Sequence, residues 1–150
     1  MVYLGSDHRG FALKEKLKSL LTELGYAFED MGSFEYNKDD DYPDFATAVA
    51  RAVVLSLSKG DSAKGILICG SGVGVAVTAN KIKGIIAGTM FDSEQVKASV
   101  ADENANVIGL SNDYSSEEKN VEIVKAFLKS EFSGDERHIR RVNKIKNLEK

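Results

Sequence analysis

The chain of 150 residues contains one cysteine, one proline, no tryptophan and two histidines. A single thiol cannot form an intramolecular disulfide, which argues against a disulfide-stabilised secreted domain and predicts a cytoplasmic location. The N-terminal segment lacks the basic and then apolar pattern of a signal peptide, and no apolar run approaches the roughly 20 residues of a membrane span. We therefore expect no membrane partner.

The sequence also lacks an excess of positive charge. Lys and Arg number 20 and Asp and Glu number 23, which gives a formal net charge of −3. This balance provides no general attraction to nucleic acid, so we expect no nucleic-acid partner. Apolar residues make up 43% of the chain, which is enough for a core. We predict one domain over residues 1–150.

Short apolar runs alternate with amphipathic segments along the chain. Five strands are predicted, at residues 2–5, 26–32, 66–69, 84–90 and 106–110. Helices are predicted over residues 13–24, from a cap at Asp44 to residue 53, and over 73–82, 93–101 and 115–132, followed by a basic segment over 137–150. This α/β alternation predicts an open parallel sheet covered by helices on both faces.

Ligands bind such sheets beyond the carboxyl ends of the strands. The pattern therefore directs attention to Asp7 and His8 after the first strand and to residues 69–74 after the third. We also include residues 102–106, which lead into the fifth strand, among the candidates.

A glycine-rich loop, Gly70–Gly74, joins the third strand to the next helix. Its backbone N–H groups can face a phosphate, a carboxylate or a developing oxyanion without obstruction by side chains. The loop is neither a G-x-G-x-x-G after the first strand nor a Walker motif, and a tight turn required for packing is the alternative interpretation. Cys69 begins the loop, where a thiolate could act as a nucleophile or a base. Inert packing is the alternative for this cysteine.

Five motifs occur in one order over nearly the whole chain: "GSDHRGFALK", "DYPDFA", "ILICGSGVGVAVTANKIKGIIAG", "NANVIGL" and "RHIRRVNKI". Together they resemble the type B ribose-5-phosphate isomerase family, which includes allose-6-phosphate isomerase and the galactose-6-phosphate isomerase subunits. The resemblance implies a Rossmann-like three-layer α/β/α sandwich with a five-stranded parallel sheet. It also implies a homodimer, sometimes a tetramer, in which the C-terminal helix reaches the partner subunit and the active sites are shared.

The resemblance further implies a cofactor-free and metal-free interconversion of an aldose phosphate and a ketose phosphate through an enediol(ate), with ribose 5-phosphate and ribulose 5-phosphate as the expected pair. Cys69 is then the base, Ser71 assists with the ring or its hydroxyls, and Asp102 aligns with a ring-opening histidine. The implied substrate-binding residues are Asp7, His8, Tyr42, Gly70, Gly72, Val73, Gly74, Asn80, Asn106, Arg137, His138 and Arg141, of which Arg137, His138 and Arg141 match phosphate ligands from the partner subunit.

Two positions depart from the family pattern. Ribose-specific members carry a histidine where this chain has Asp102, and the family commonly places a phosphate-binding arginine after the fifth strand, where this chain has Asn112 and Asp113. Two alternatives therefore stay open: isomerisation of a hexose 6-phosphate such as allose or galactose 6-phosphate, and a phospho-sugar-binding sensor or an impaired subunit. A phosphatase that uses Cys69 as nucleophile is disfavoured, because its loop would need an arginine.

Overall fold

The computed structural model describes residues 1–149. Five strands form one parallel sheet in the order β2-β1-β3-β5-β4. The strands are β1 Val2–Ser6, β2 Phe28–Asp30, β3 Lys64–Cys69, β4 Ala87–Met90 and β5 Val107–Ser111. The helices are α1 Phe11–Glu23, α2 Tyr42–Ser58, α3 Val73–Ala79, α4 Ser93–Glu103, α5 Glu117–Lys129 and α6 Glu136–Lys146. The predicted five-stranded parallel sheet is confirmed.

Each face of the sheet has its own apolar cluster. One cluster packs α1, α4 and α5 against the sheet, and the other packs α2 and α3 against the opposite face. The central strand β3 serves both faces by alternation, since Ile66 and Ile68 belong to the first cluster and Leu67 and Cys69 to the second. The predicted three-layer α/β/α arrangement is thus confirmed. None of the helices in residues 1–149 is long and apolar enough to cross a membrane.

The start of α2 differs from the prediction. The helix begins at Tyr42, with Asp41 at the N-cap position and Pro43 in the first turn, whereas Asp44 was expected to cap it. Proline fits the first turn because its missing N–H would have no helical partner there. Tyr42 therefore lies on a helix and not in the preceding loop.

Lys14 is the main difference in α1, because the helical pattern places it among the polar residues, yet its side chain is fully buried. Its Nζ donates to Asp30 Oδ1 and to the carbonyl of Ser33, both at 2.5 Å. A buried ammonium is stable only with such partners. The contact fastens α1 to the start of the segment that leads to Tyr42.

The strand order creates a switch point between β1 and β3. The chain moves from β1 to one side of the sheet to form β2, and then returns to form β3 on the other side of β1. The loops that follow β1 and β3 diverge at such a point and leave a crevice between them.

Candidate active site

A cleft of about 350 Å³ lies beyond the carboxyl ends of β1, β3 and β5. Because β1 pairs with β3, the residues that follow these two strands meet in the cleft. It is lined by Asp7, Arg9, Tyr42, Cys69, Gly70, Ser71, Val73, Gly74, Asp113 and Tyr114. Seven of the predicted site residues are therefore brought together at the predicted edge of the sheet, namely Asp7, Tyr42, Cys69, Gly70, Ser71, Val73 and Gly74.

Cys69 is the last residue of β3 and borders the cleft with 5% of its surface exposed. The backbone N–H of Gly72 points back at the sulfur, and the distance from this nitrogen to Sγ is 3.2 Å. Gly72 adopts a left-handed conformation, with φ of 76°, which a side chain would disfavour. The turn that follows the strand thus aims a backbone donor at the thiol.

The loop rests directly on the backbone of β5. A Cβ atom at Gly109 would lie 2.3 Å from the carbonyl oxygen of Gly72, so residue 109 has no room for a side chain. The hydroxyl of Thr89 on β4 donates to the same carbonyl at 2.9 Å. Contacts from β4 and β5 therefore fix the position of the Gly72 carbonyl, and with it the loop, relative to the sheet.

The far end of the loop meets Tyr42 and begins α3. Val73 N donates to Ser71 Oγ at 3.2 Å, which holds the serine hydroxyl beside the cleft. The ring of Tyr42 lies against Gly74, where a Cβ would come within 2.8 Å of the ring carbons. The hydroxyl of Ser71, the phenol of Tyr42 and the loop amides form the polar wall next to Cys69.

Asp7 has a structural task as well as a place in the cleft. Its Oδ1 accepts the N–H groups of Arg9 and Gly10, at 3.0 and 3.2 Å, and so organises the turn that enters α1. Burial raises the pKa of the Asp7 carboxyl above its ordinary value, although those two N–H groups and His8 oppose the shift. The same carboxyl group therefore organises the turn before α1 and borders the cleft.

Asp40 contacts both the backbone and the ring of His8, and the sequence patterns did not single out this residue. Asp40 Oδ1 accepts a hydrogen bond from the His8 backbone N at 3.0 Å and lies 2.7 Å from His8 Nδ1. Only 8% of the Asp40 side chain is exposed. Donor atoms of Asp7, His8 and Asp40 all lie within 4.8 Å of one another and could hold a cation. These carboxylates already accept protein hydrogen bonds, and the absence of a metal from the reaction stays a prediction.

Arg9 and Asp113 form an ion pair at the cleft. Asp113 stands after β5, where the family commonly places a phosphate-binding arginine, and the structure pairs it with a cation from the loop after β1. Arg9 follows directly on the "SDH" motif, which is the one signal that could have placed it in the site. Its partner could not be identified without the strand order.

Four other predicted residues form a second cluster at the opposite edge of the sheet, namely Asp102, Arg137, His138 and Arg141. Asp102 belongs to the last turn of α4, directly before β5, and α6 packs against α4. The four residue-to-residue steps of β5, at about 3.3 Å each, separate this edge from the cleft by roughly 13 Å. Residues 102–106 were included with the candidates at the carboxyl ends of the strands, but they precede β5 and lie at the opposite edge of their own sheet. A place for Asp102 in a site shared with the partner subunit stays a prediction.

Within this second cluster, His138 is buried while Arg137 and Arg141 are exposed. His138 Nδ1 lies 2.8 Å from Ser133 Oγ, and its Nε2 lies 3.6 Å from Asp102 Oδ1. Both ring nitrogens therefore face groups of their own chain, and the assignment of His138 to a phosphate site shared with the partner subunit stays a prediction. His138 fastens α6 to α4 and leaves the two arginines on the surface.

Asn80 and Asn106, also predicted to bind substrate, lie at this second edge and have structural partners. Asn80 donates to Ala87 O and accepts from Ala87 N, both at 2.8 Å. Asn106 accepts from Ile86 N at 2.9 Å and donates to Gly84 O at 2.8 Å. Each amide thus donates one and accepts one hydrogen bond to the backbone around the start of β4, and their assignment to the substrate site stays a prediction.

A thiol and an amide-rich loop at the switch point of a parallel sheet define an α/β protein of the class that binds small ligands at its strand ends. The chain belongs to the Ribose/Galactose Isomerase family, whose profile matches residues 2–145.

The chain is also similar to individual members of that family. Ribose-5-phosphate isomerase B of Mycolicibacterium paratuberculosis is 34% identical over 149 residues, which cover 99% of this chain and 91% of that protein. The crystal structure of ribose-5-phosphate isomerase B from Mycoplasma genitalium with bound ribulose-5-phosphate matches with a TM-score of 0.91 and 38% identity, covering 99% and 95% of the two chains. The Clostridium thermocellum ribose-5-phosphate isomerase B matches with a TM-score of 0.90 and 37% identity, covering 99% and 96%.

Proposed function

We propose that the protein is an aldose–ketose isomerase that interconverts ribose 5-phosphate and ribulose 5-phosphate. The observation that carries the proposal is Cys69, which borders a polar cleft and receives a backbone N–H on its sulfur. The relatives support the choice of substrate, because they are named ribose-5-phosphate isomerase B and one binds ribulose-5-phosphate. We propose that neither metal nor organic cofactor takes part, since the net change only moves hydrogen between neighbouring carbon and oxygen atoms.

Cys69 performs the proton transfer between the two carbons. Its thiolate takes the proton from C2 of the open-chain aldose, and the electron pair of that bond forms the C1–C2 double bond of an enediolate with the negative charge on O1. The thiol then returns the proton to C1, while the proton of the C2 hydroxyl moves to O1 and leaves a ketone at C2. One base that reaches both carbons is sufficient for this sequence.

The loop over residues 70–74 stabilises the charge that develops on O1. Backbone donors that are already in place strengthen their interaction as the oxyanion forms, and they need no reorganisation during the reaction. Ser71 lines the same wall, and its hydroxyl can exchange protons with the sugar hydroxyls. The ring of Tyr42 packs against Gly74, at the end of the loop that is farthest from Cys69. We assign Ser71 and Tyr42 to holding the sugar.

A homodimer with shared active sites would complete the phosphate site. Asp7 and Asp113 place two carboxyl groups in the cleft against the single guanidinium of Arg9, so a phosphate dianion needs further positive charge. Arg137 and Arg141 offer it from the exposed face of α6. Because they lie at the opposite edge of their own sheet, we propose that a second copy presents them to the cleft. A two-fold axis generates two such sites.

Asp102 would enter the site with the partner's arginines, because it belongs to the same cluster. Its side chain is 46% exposed and lies beside His138. We propose that this carboxylate moves the proton that opens the furanose ring. We also propose that residues 1–150 act as one cytoplasmic domain, a view supported by the single sheet and the single free thiol.

A turnover assay on several sugar phosphates tests the proposal. Purified protein is supplied with ribose 5-phosphate, allose 6-phosphate and galactose 6-phosphate under one set of conditions, and ketose formation is measured beside calorimetric binding. We expect the highest kcat/KM for ribose 5-phosphate. Preference for a hexose 6-phosphate would replace the substrate, and tight binding without turnover of any of the three would favour the sensor.

A further inference from the structure

We propose that Arg9 is a further substrate-binding residue, which contacts the phosphate of the sugar from the chain that carries Cys69, and that Asp113 positions its guanidinium. The inference rests on the proposed function, since it names a phosphate ligand within the same cleft. Arg9 lines that cleft directly and lies in the loop that joins β1 to α1.

The backbone on both sides of the ion pair is fixed. Arg9 N donates to Asp7 Oδ1 at 3.0 Å, which anchors the residue beside the end of β1. Asp113 N donates to the carbonyl of Gly70 at 3.0 Å, which anchors the loop after β5 to the loop after β3. The two charged side chains therefore meet from two held segments, although 57% of the Arg9 side chain is exposed.

The pair lies directly over Gly70, the residue that follows Cys69. A Cβ at position 70 would come within 2.9 Å of Arg9 Nε and within 2.9 Å of Asp113 Oδ2. Only a glycine lets the guanidinium and the carboxylate approach the loop so closely. Arg9 thus sits at one end of the loop, while Tyr42 lies against Gly74 at the other.

The charges of the cleft identify which part of the substrate Arg9 would meet. Among the cleft-lining residues of the described chain 1–149, Arg9 is the one with a basic side chain. In the bound sugar ester, the phosphate carries the negative charge before the reaction starts. A guanidinium has five N–H donors, and the ion pair joins only its Nη2 to Asp113, so other donors remain for phosphate oxygens.

This position gives Arg9 a role different from that proposed for Arg137 and Arg141. Those two arginines would approach with a second subunit, whereas Arg9 belongs to the cleft of a single chain. A phosphate held between cations of both chains is fixed in orientation as well as in affinity. The partial exposure of Arg9 limits its contribution, because solvent screens the interaction.

The test compares Arg9→Gln, Arg9→Lys and Asp113→Asn with the wild type and with Arg51→Gln as a matched control. Arg51 is an exposed arginine of α2 and does not line the cleft. Steady-state kinetics with ribose 5-phosphate gives kcat and KM, and calorimetric titration with inorganic phosphate gives a Kd that needs no turnover. Thermal unfolding confirms that each variant is folded.

For Arg9→Gln we expect KM and the phosphate Kd each to rise about tenfold, the size of a partly exposed charged hydrogen bond, while kcat changes less than about threefold. Arg9→Lys, which keeps the charge, should fall between Gln and the wild type. Asp113→Asn should raise KM less than Arg9→Gln, because it removes an anchor of the guanidinium but also a charge that repels phosphate.

Three results would overturn the inference. Arg9→Gln could match Arg51→Gln in both KM and phosphate Kd. It could instead lower kcat with an unchanged phosphate Kd, which would place Arg9 at the enediolate. Asp113→Asn could reproduce the full effect of Arg9→Gln, which would make the ion pair itself the useful element. Failure of the wild type to convert ribose 5-phosphate would refute the proposed function, and the phosphate titrations would still decide the role of Arg9.

Discussion

The cleft around Cys69 and the cluster on α4 and α6 differ in how they are built. The cleft is formed by loops from three neighbouring strands, and its donors are largely backbone groups held in place by glycine. The second cluster is carried by helices, with one buried histidine and two exposed arginines. The first region brings a thiol and backbone donors together within one chain, whereas the second presents two arginines on an exposed helix face. In the proposed function, proton transfer at Cys69 belongs to the cleft, and the phosphate is held jointly by Arg9 of the cleft and by the arginines of the second region of another copy.

The largest expected effect comes from the cleft. Cys69→Ala should lower kcat about a thousandfold, because a positioned general base contributes roughly 10²- to 10⁴-fold. The Kd for ribose 5-phosphate should stay close to the wild-type value, since no phosphate contact is removed. Calorimetry and turnover measured on the same preparation check both statements. Near-normal turnover would show that another group moves the proton and that the cleft is not the chemical region.

A mixing experiment tests whether the two regions act together across subunits. We expect Cys69→Ala and the double variant Arg137→Ala/Arg141→Ala each to be nearly inactive as homodimers. When they are unfolded and refolded together, half of the dimers are mixed, and each mixed dimer has one intact site of two. Activity should therefore recover to about a quarter of the wild-type value for a two-fold dimer. No gain over the separately refolded proteins would mean that the sites are not shared.

A smaller effect is expected from a single arginine of the second cluster. Arg141→Ala should raise KM for ribose 5-phosphate about tenfold, with a smaller change in kcat, because it removes one charge-assisted hydrogen bond to phosphate. Arg140→Ala is the matched control, since Arg140 is the adjacent exposed arginine of α6. Equal KM values for the two variants would remove Arg141 from the phosphate site.

The smallest effect concerns the stability of the cleft as a function of pH. Burial raises the pKa of Asp7 in the folded protein, so the folded state holds this proton more tightly than the unfolded chain does. The resulting stabilisation is fully present below the ordinary pKa of 3.8 and is lost as the pH rises through the raised value. Asp7→Asn cannot titrate, and it should gain stability relative to the wild type over that interval.

Urea unfolding at several pH values measures the Asp7 effect. The quantity to compare at each pH is the difference between the urea midpoints of Asp7→Asn and the wild type. Parallel pH curves for Asp7→Asn and the wild type would show that this carboxyl titrates alike in the folded and unfolded states. A difference of the opposite sign would mean that the hydrogen bonds from Arg9 and Gly10 outweigh burial.

The sequence allowed the cleft to be predicted far better than the second region, and the reason is physical. Cys69 and the glycine loop are contiguous in sequence, so an apolar strand followed by glycines already describes their local geometry. Asp7 required only that β1 and β3 be neighbours. By contrast, residues 102–106 were grouped with the candidates at the carboxyl ends of the strands, although a residue that precedes a parallel strand lies at the opposite edge. That error could be avoided only by following the chain direction through the sheet.

Interactions between distant parts of the sequence could not be predicted in the same way. Lys14 occupies a position that the helical pattern gives to polar surface residues, and its burial depends on Asp30 and Ser33 in another segment. The partnership of Arg9 and Asp113 joins loops after the first and last strands. Asn80 and Asn106 carry no local sign that their amides bind the backbone before β4.

The contact between Gly72 and Gly109 has a consequence for how this enzyme could be adjusted. Gly109 does not line the cleft. Even one methyl group at position 109 would nevertheless push against Gly72, whose backbone N–H donates to the sulfur of Cys69. The alignment of the Gly72 N–H with the sulfur thus depends on residue 109, a position that does not contact the substrate. Random mutagenesis that screens for altered rates should find β5 as sensitive as the residues that face the sugar.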